Sequence, residues 1–246
     1  MLPTKSAVNN YSSQMQSPDL DPTLSAPLWT LADITGLVLA GGRGLRMGGV
    51  DKGLQPFNGQ AMAQHALQRL ASQQGGLLHG VIVNANRHPE QYQALGLAAF
   101  DTRPVAVVQD RDAEFSGPLS GFQAGLDVCP SALMLTVPCD SPLFPPDLAA
   151  RLLAALLQAD ADMAVVLAPE LGRDGSTSLR SQPVFCLMRT TVADSLQTFM
   201  ANGGRKVDAW TAQLRLATVP FDTPADDPRA FANANTLEEL RQLEAP

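Results

Sequence analysis

The sequence has little that would build a metal cluster or a disulfide framework. Among 246 residues there are three cysteines and three histidines, and neither type shows the spacing of a zinc site. An odd number of scattered cysteines fits a reducing compartment. We therefore expect Cys129, Cys139 and Cys186 to be small core residues.

Positive charge is also scarce. The chain has 17 Lys and Arg against 24 Asp and Glu, a net charge of -7. Such a balance gives no global field that would attract nucleic acid or an anionic membrane surface, so any phosphate site must be local. No uncharged apolar run reaches the roughly 20 residues of a transmembrane helix. We expect no nucleic-acid or membrane partner, and a cytoplasmic location.

The beginning of the chain differs in composition from the rest. From Met1 to about Leu31 it is rich in Ser, Pro, Asn, Gln and Asp and lacks apolar periodicity, which is typical of a disordered leader. The remainder has enough apolar content for one substantial core. We predict a leader over residues 1–33 and a single domain over residues 34–246.

Short aliphatic runs alternate with amphipathic segments after residue 34. The runs predict buried parallel strands at Gly36–Ala40, Val81–Asn84, Val105–Val108, Ala132–Val137 and Met163–Leu167. Helices are predicted at Met62–Ser72, Asp147–Gln158 and Leu237–Leu243. This alternation favours an α/β fold: a three-layer, open, mostly parallel sheet with helices on both faces, Rossmann-like in architecture. In such sheets ligands bind at the carboxyl ends of the strands.

A glycine-rich, cationic segment follows the first predicted strand. The stretch from Leu39 to Gly53 holds six glycines together with Arg43, Arg46 and Lys52. Glycine lets backbone N–H groups approach an anion, and the three cations can neutralise the charge that develops as pyrophosphate leaves. The alternative is a glycine-rich surface turn with solvated cations. The clustering favours a triphosphate site.

Two common phosphate motifs do not fit this segment. A P-loop needs Ser or Thr after its lysine, but Gly53 follows Lys52. The dinucleotide fingerprint fits Gly42 and Gly44 but meets Met47 at its third glycine, and no acidic residue for a ribose follows the second strand. A P-loop kinase or GTPase and an NAD-dependent reductase are therefore disfavoured.

Polar side chains lie at or just after the ends of three further predicted strands. Asp140 follows a hydrophobic strand and is flanked by prolines, and a carboxylate there can hold Mg²⁺, which needs only one or two protein carboxylates. Helix capping is its structural alternative. Asp110 reaches the same edge, where it could bind sugar hydroxyls or support the metal. Asn84 and Asn86 could contact the edge of a base or serve as turn residues.

Together these segments resemble the molybdenum cofactor guanylyltransferases, the MobA family, over most of Thr35 to Leu243. The resemblance rests on five motifs: Leu39 to Leu54, Val83-Asn-Ala-Asn-Arg-His88, Ser116-Gly-Pro-Leu-Ser-Gly121, Val137-Pro-Cys-Asp140 with Pro145-Pro-Asp-Leu148, and Phe231-Ala-Asn-Ala-Asn-Thr236. Most of these are shared by several nucleotidyltransferases. Arg46-Met-Gly-Gly-Val-Asp-Lys-Gly53 combined with Asn84-Ala-Asn-Arg-His88 is much more specific to this family.

The resemblance implies a nucleotidyltransferase fold and a set of site residues. The family's nucleotide contacts fall on Leu39, Ala40, Gly41, Gly42, Lys52, Asn84, Asp110 and Asp140. Asp140 is also the implied Mg²⁺ ligand, and it joins Lys52, Arg43 and Arg46 as a catalytic residue. In the family, Leu-Ala-Gly-Gly accompanies guanine and Leu-Ala-Ala-Gly accompanies cytosine, so Gly41 implies guanine.

The resemblance further implies the reaction and the partners. GMP would pass from GTP to molybdopterin-bound molybdenum (Mo-molybdopterin), giving the guanine dinucleotide cofactor and pyrophosphate, and molybdoenzyme chaperones or molybdenum insertion proteins are possible partners. Three alternatives stay open: a cytidylyltransferase acting on the same pterin, a sugar-phosphate nucleotidyltransferase, and a non-catalytic protein that delivers the cofactor. Retention of Lys52 and Asp140 argues against the last.

Overall fold

The computed structural model describes residues 29–42, 50–111, 117–172, 175–234 and 236–244. Most of the predicted leader lies outside these ranges. Just before the predicted domain boundary, the chain forms a three-residue 3-10 helix at Leu31–Asp33. Leu31 is already part of the main core, with 3% of its surface exposed.

Nine strands are present in the described residues. In chain order they are β1 (Ile34–Leu39), β2 (Pro56–Phe57), β3 (Gln60–Ala61), β4 (Gly80–Asn84), β5 (Val105–Val108), β6 (Leu133–Pro138), β7 (Met163–Leu171), β8 (Thr177–Arg189) and β9 (Leu216–Pro220). β2 and β3 form a small antiparallel hairpin, and the other seven strands form one sheet in the order β5-β4-β1-β6-β8-β7-β9.

The large sheet is mostly parallel, as the sequence predicts. β5, β4, β1 and β6 run parallel to one another, and β9 is parallel to β7. β8 is antiparallel to both of its neighbours, β6 and β7. It was not predicted from the sequence. Its first five residues are exposed, the next three are half-buried, and residues 185–188 are buried. The last five residues of the polar segment from Gly172 to Ser181 are the start of β8.

Seven α-helices surround the sheet in the described part of the chain. They are α1 (Met62–Ala71), α2 (Pro89–Phe100), α3 (Pro118–Val128), α4 (Leu148–Gln158), α5 (Ala193–Ala201), α6 (Val207–Thr211) and α7 (Leu237–Glu244). The predicted strands and helices match the observed ones with end points shifted by one or two residues, except that β7 continues four residues beyond its predicted end.

Helices cover both faces of the sheet. Side chains of β1 alternate between two core clusters, because successive residues of a strand point to opposite faces. Val38 packs in the cluster that includes α1, α2 and α4. Leu37 packs in the cluster that includes α3, α5 and α6. The predicted three-layer α/β class is therefore confirmed.

All three cysteines are free thiols; Cys139 and Cys186 are buried, and Cys129 is half-buried. Burial raises the pKa of the Cys186 thiol to about 12. No helix among the described residues has both the length and the apolar character needed to cross a membrane.

Candidate active site

Three adjacent parallel strands deliver polar groups to one edge of the sheet. β1 lies between β4 and β6, with Leu39 in register with Asn84 on one side and Pro138 on the other. Backbone hydrogen bonds continue past the strand ends: Ala40 N donates to Asn84 O at 2.8 Å, and Cys139 N donates to Leu39 O at 3.1 Å. The loops that follow these strands therefore start side by side.

Lys52 and Asp140 meet at this edge. Lys52 begins a 3-10 turn, Lys52–Leu54, after the glycine-rich loop, and its Nζ lies 3.4 Å from Asp140 Oδ2. Their side chains are 19% and 21% exposed. Burial raises the pKa of the Asp140 carboxyl, and the nearby Lys52 cation opposes that rise. A further cation, or Mg²⁺, would stabilise the ionised carboxylate here.

Asp110 organises the two asparagines that follow β4. Its Oδ1 accepts a hydrogen bond from Asn84 Nδ2 at 2.9 Å, and its Oδ2 accepts one from Asn86 Nδ2 at 2.7 Å. The backbone N–H of Asp110 donates to Asn86 Oδ1 at 2.8 Å. Both carboxylate oxygens are thus used to orient amides, so Asp110 acts on the site at least partly through Asn84 and Asn86.

Gly41 lies against this amide pair. Asn86 Nδ2 donates to Gly41 O at 3.0 Å. A Cβ at position 41 would lie 2.8 Å from Asn84 Oδ1 and 2.9 Å from Asn86 Nδ2, so any larger residue must displace the amides. Gly121, near the start of α3, is equally close, since a Cβ there would lie 2.7 Å from Asn84 Oδ1. The Asn84 amide is held between two glycines.

The glycine-rich loop is described only at its two ends. Arg43 and Arg46 lie outside the described residues, so their predicted roles stay predictions. The ends themselves converge on one guanidinium, because Arg87 Nη2 donates to Gly42 O and to Val50 O at 3.3 Å each. The two ends of the loop, at residues 42 and 50, are therefore held close together by Arg87.

The comparison with known proteins identifies the family. The family model described as the MobA-like NTP transferase domain matches residues 36–219, about three quarters of the chain. This chain is a MobA-like NTP transferase. The family predicted from the motifs is confirmed, and so is the class of enzyme, a nucleotidyltransferase.

Close relatives of this MobA-like chain are named molybdenum cofactor guanylyltransferase. The protein of that name from Albidiferax ferrireducens is 54% identical over 212 residues, which cover 86% of this chain and 96% of the relative. One from an Acidovorax species is 55% identical over 213 residues, covering 86% of this chain and 95% of the relative. The match therefore spans nearly the whole of each relative.

Solved structures of more distant proteins share the fold. Molybdopterin-guanine dinucleotide biosynthesis protein A from Archaeoglobus fulgidus superimposes with a TM-score of 0.61 at 20% identity, covering 85% of this chain and 96% of that chain. The 4-diphosphocytidyl-2C-methyl-D-erythritol synthase of Anaerococcus prevotii gives 0.64 at 14% identity, covering 86% and 96%. Both likenesses support the Rossmann-like nucleotidyltransferase fold.

The MobA-like site contains residues that the sequence did not single out for a role. Arg87 binds both ends of the glycine-rich loop. Ser141 Oγ donates to Asn233 Oδ1, and Ala234 N donates to Asp140 O at 2.9 Å, which brings Asn233 and Ala234 beside Asp140 and Ser141. The only sequence signal for these roles was the pair of asparagine motifs.

Asp140 is the residue of the MobA-like site that fits a divalent cation. Within the ranges that the structure describes, no three His, Cys, Asp or Glu side chains form a ligand cluster. Mg²⁺ does not require one, because it usually binds one or two carboxylates and takes its other ligands from water and substrate phosphates. The half-buried carboxylate of Asp140, whose pKa is raised by burial, is the kind of group that gains from such a partner.

Proposed function

We propose that this chain transfers the GMP moiety of GTP to Mo-molybdopterin, giving the guanine dinucleotide cofactor and pyrophosphate. The acceptor and the base are supported by the relatives of about 54% identity that carry the name molybdenum cofactor guanylyltransferase. The observation that carries the proposal is the pairing of Lys52 with Asp140, at 3.4 Å, on the edge where β1, β4 and β6 end.

The chemistry is a single in-line displacement. An oxygen of the pterin's terminal phosphate forms a bond to the α-phosphorus of GTP, and the bond from that phosphorus to the bridging oxygen of pyrophosphate breaks. The bonding electrons leave with pyrophosphate. Because the attacking phosphate is already anionic near pH 7, no general base is needed. Positioning and electrostatic stabilisation therefore supply the rate.

Lys52 and the loop before it hold the triphosphate. The ammonium group of Lys52 stabilises the charge on the transferred and departing phosphates. Leu39 to Gly42 bring backbone close to the nucleotide, and Arg43 and Arg46 add positive charge from the same loop. Arg87 supports this arrangement by closing the loop ends.

The guanine and its ribose lie against the amide pair. Because Nδ2 of Asn84 donates to Asp110, its Oδ1, which lies against Gly41 and Gly121, is the hydrogen-bond acceptor of this amide. Guanine presents N–H donors along its base-pairing edge, which matches an acceptor at this point. Gly41 is required because a methyl group there would move the acceptor.

Asp140 would hold Mg²⁺ together with the phosphate oxygens of GTP. When bound, the ion neutralises phosphate charge and makes the α-phosphorus more electrophilic. The protein's own part is to present one carboxylate from the end of β6 and to keep Lys52 beside it.

After the transfer, the guanine dinucleotide cofactor must reach an enzyme that uses it. We propose cytoplasmic molybdoenzyme chaperones or molybdenum insertion proteins as the partners that receive this product.

The direct test offers the enzyme a choice of nucleotide. The purified chain is incubated with Mg²⁺, Mo-molybdopterin and one of GTP, CTP, ATP or UTP, and pyrophosphate release is measured. We expect release with GTP at least about a hundredfold faster than with the others, a difference that two or more hydrogen bonds to the base provide. A preference for CTP would make the chain a cytidylyltransferase, and release with none would remove the enzymatic function.

A further inference from the structure

A buried hydrogen bond lies directly beneath Lys52. Asp51, the preceding residue, is 8% exposed, and Tyr92 of α2 is fully buried. Tyr92 Oη donates to Asp51 Oδ1 at 2.5 Å. A carboxylate is costly to bury unless it is hydrogen-bonded, so this contact determines where Asp51 can lie.

Gly53, the residue after Lys52, packs closely against the same phenol of Tyr92. A Cβ at Gly53 would collide with the Tyr92 hydroxyl, and it would lie 3.1 Å from Tyr92 Cε1. Gln55 Nε2 also donates to Asp51 O at 3.2 Å, which closes the turn from the other side. The residues on both sides of Lys52 thus contact one tyrosine side chain: Asp51 through its carboxylate and Gly53 through its backbone.

We propose that Tyr92 is a positioning residue for Lys52: by holding Asp51 and packing on Gly53, its phenol sets where the Lys52 ammonium group meets the triphosphate. Tyr92 acts on Lys52 through the two flanking residues, Asp51 and Gly53. The inference rests on the proposed function, since it assumes that Lys52 binds the triphosphate.

The chemistry of the pair suits a fixed donor. Burial raises the pKa of the Tyr92 phenol, and the Asp51 charge raises it further, so the hydroxyl keeps its proton across the working pH range. If Tyr92 served only the core, its replacement by phenylalanine would cost stability alone. The two roles therefore differ in their effect on GTP binding.

A double-mutant cycle separates these roles. The dissociation constant of GTP with Mg²⁺, in the absence of the pterin so that no turnover occurs, is measured by calorimetry for four proteins: wild type, Tyr92→Phe, Lys52→Ala and the double variant. We expect Tyr92→Phe to weaken binding about tenfold in wild type and less than about twofold in the Lys52→Ala background, because its effect passes through Lys52. Asp51→Ala, which removes the acceptor, should behave like Tyr92→Phe.

Thr35→Val provides the control for lost stability. It removes a buried hydroxyl that hydrogen-bonds Ser131 Oγ at 2.6 Å at the opposite end of β1, and it should lower the melting temperature without changing the GTP dissociation constant. Equal losses from Tyr92→Phe in both backgrounds, or a loss of stability alone, would overturn the positioning role. Failure of the proposed function would show separately, as a Lys52→Ala variant that binds GTP like wild type.

Discussion

Lys52 and Asp140 come together from positions 88 residues apart, and each changes the surroundings of the other. Asp140 sits where burial disfavours its charge, and Lys52 offsets that penalty. Because Lys52 offsets only part of this penalty, a further cation would stabilise the ionised carboxylate. Such a group contributes more to binding a charged substrate than to folding.

Asp140→Ala is expected to lower turnover with GTP at least a hundredfold, roughly the loss seen when one preorganised electrostatic group is removed from an active site. The fold should persist, because the side chain is partly exposed and its burial already disfavours the charged form. The measurement is pyrophosphate release during a Mg²⁺ titration, with the melting temperature recorded alongside. Asp208→Ala, an exposed aspartate on α6, is the matched control. Activity near that of wild type across the titration would remove Asp140 from the site.

Gly41→Ala tests whether the amides of Asn84 and Asn86 bind the base of the nucleotide. The added methyl group must displace Asn84 Oδ1 and Asn86 Nδ2, so the GTP hydrogen bond and the Asp110 network weaken together. We expect kcat/KM for GTP to fall about tenfold, the equivalent of one hydrogen bond, and the ratio of CTP to GTP use to rise. An unchanged ratio of kcat/KM values would show that Gly41 does not bear on the base.

Four strands of the large sheet could be predicted from the sequence. β1, β4, β5 and β6 are short aliphatic runs bounded by glycine or polar residues, so their existence and nearly their ends follow from the pattern. α2 was not predicted, because its buried residues form a narrow stripe of Tyr92, Gly96 and Phe100, and one of the three is glycine. β8 was not predicted because exposure changes midway along it, which hides any two-residue alternation.

Gly96 explains why α2 can pack so closely on β5. A Cβ at this position would lie 2.5 Å from Val105 Cγ1, so a larger side chain forces the helix away from the sheet. Gly96→Val should cost about 1–3 kcal/mol in the free energy of unfolding, as overpacking typically does. Ala98→Val, at an exposed position of the same helix, should cost about 0.5 kcal/mol or less. Similar costs from urea unfolding of the two variants would contradict the close approach.

An ion-pair group joins the beginnings of β7 and β9. Arg215 Nη2 lies 2.7 Å from Asp162 Oδ1, and Arg215 Nη1 lies 2.7 Å from Asp160 Oδ2. Hydrogen bonding from Arg215 lowers the pKa of the Asp162 carboxyl. A carboxyl whose pKa is lower in the folded chain stabilises it above its unfolded pKa of about 3.9, and this contribution is lost as the pH falls further.

Asp162→Asn should therefore destabilise the fold at pH 7, and the destabilisation should shrink as the pH falls from the unfolded pKa of about 3.9 through the lower pKa of the folded chain. The measurement is the difference in unfolding free energy between wild type and variant across this pH range. A difference that stays constant from pH 7 to well below the unfolded pKa of about 3.9 would show that the ion pair does not contribute through the Asp162 charge.

At the scale of the whole molecule, the position of the site followed from the sheet. Parallel strands bring their carboxyl ends to one edge, so Asn84, Asp110 and Asp140 could be grouped from the sequence alone. The contacts of Arg87 with the loop ends and of Tyr92 with Asp51 could not, because they join segments whose distance is set only by packing. Arg87 and Asp51 lie within two of the motifs and Tyr92 lies in none, so the motifs did not reveal these contacts.

In the reaction that we propose, this chain moves the α-phosphoryl group of GTP, with its nucleoside, onto the pterin phosphate. The most direct measurement compares GTP labelled at the α-phosphorus with GTP labelled at the γ-phosphorus, in the presence of Mg²⁺ and Mo-molybdopterin. We predict that the α-label enters the pterin product and the γ-label is released in pyrophosphate. Transfer of the γ-label to the pterin, or release of the α-label as free GMP, would contradict the account.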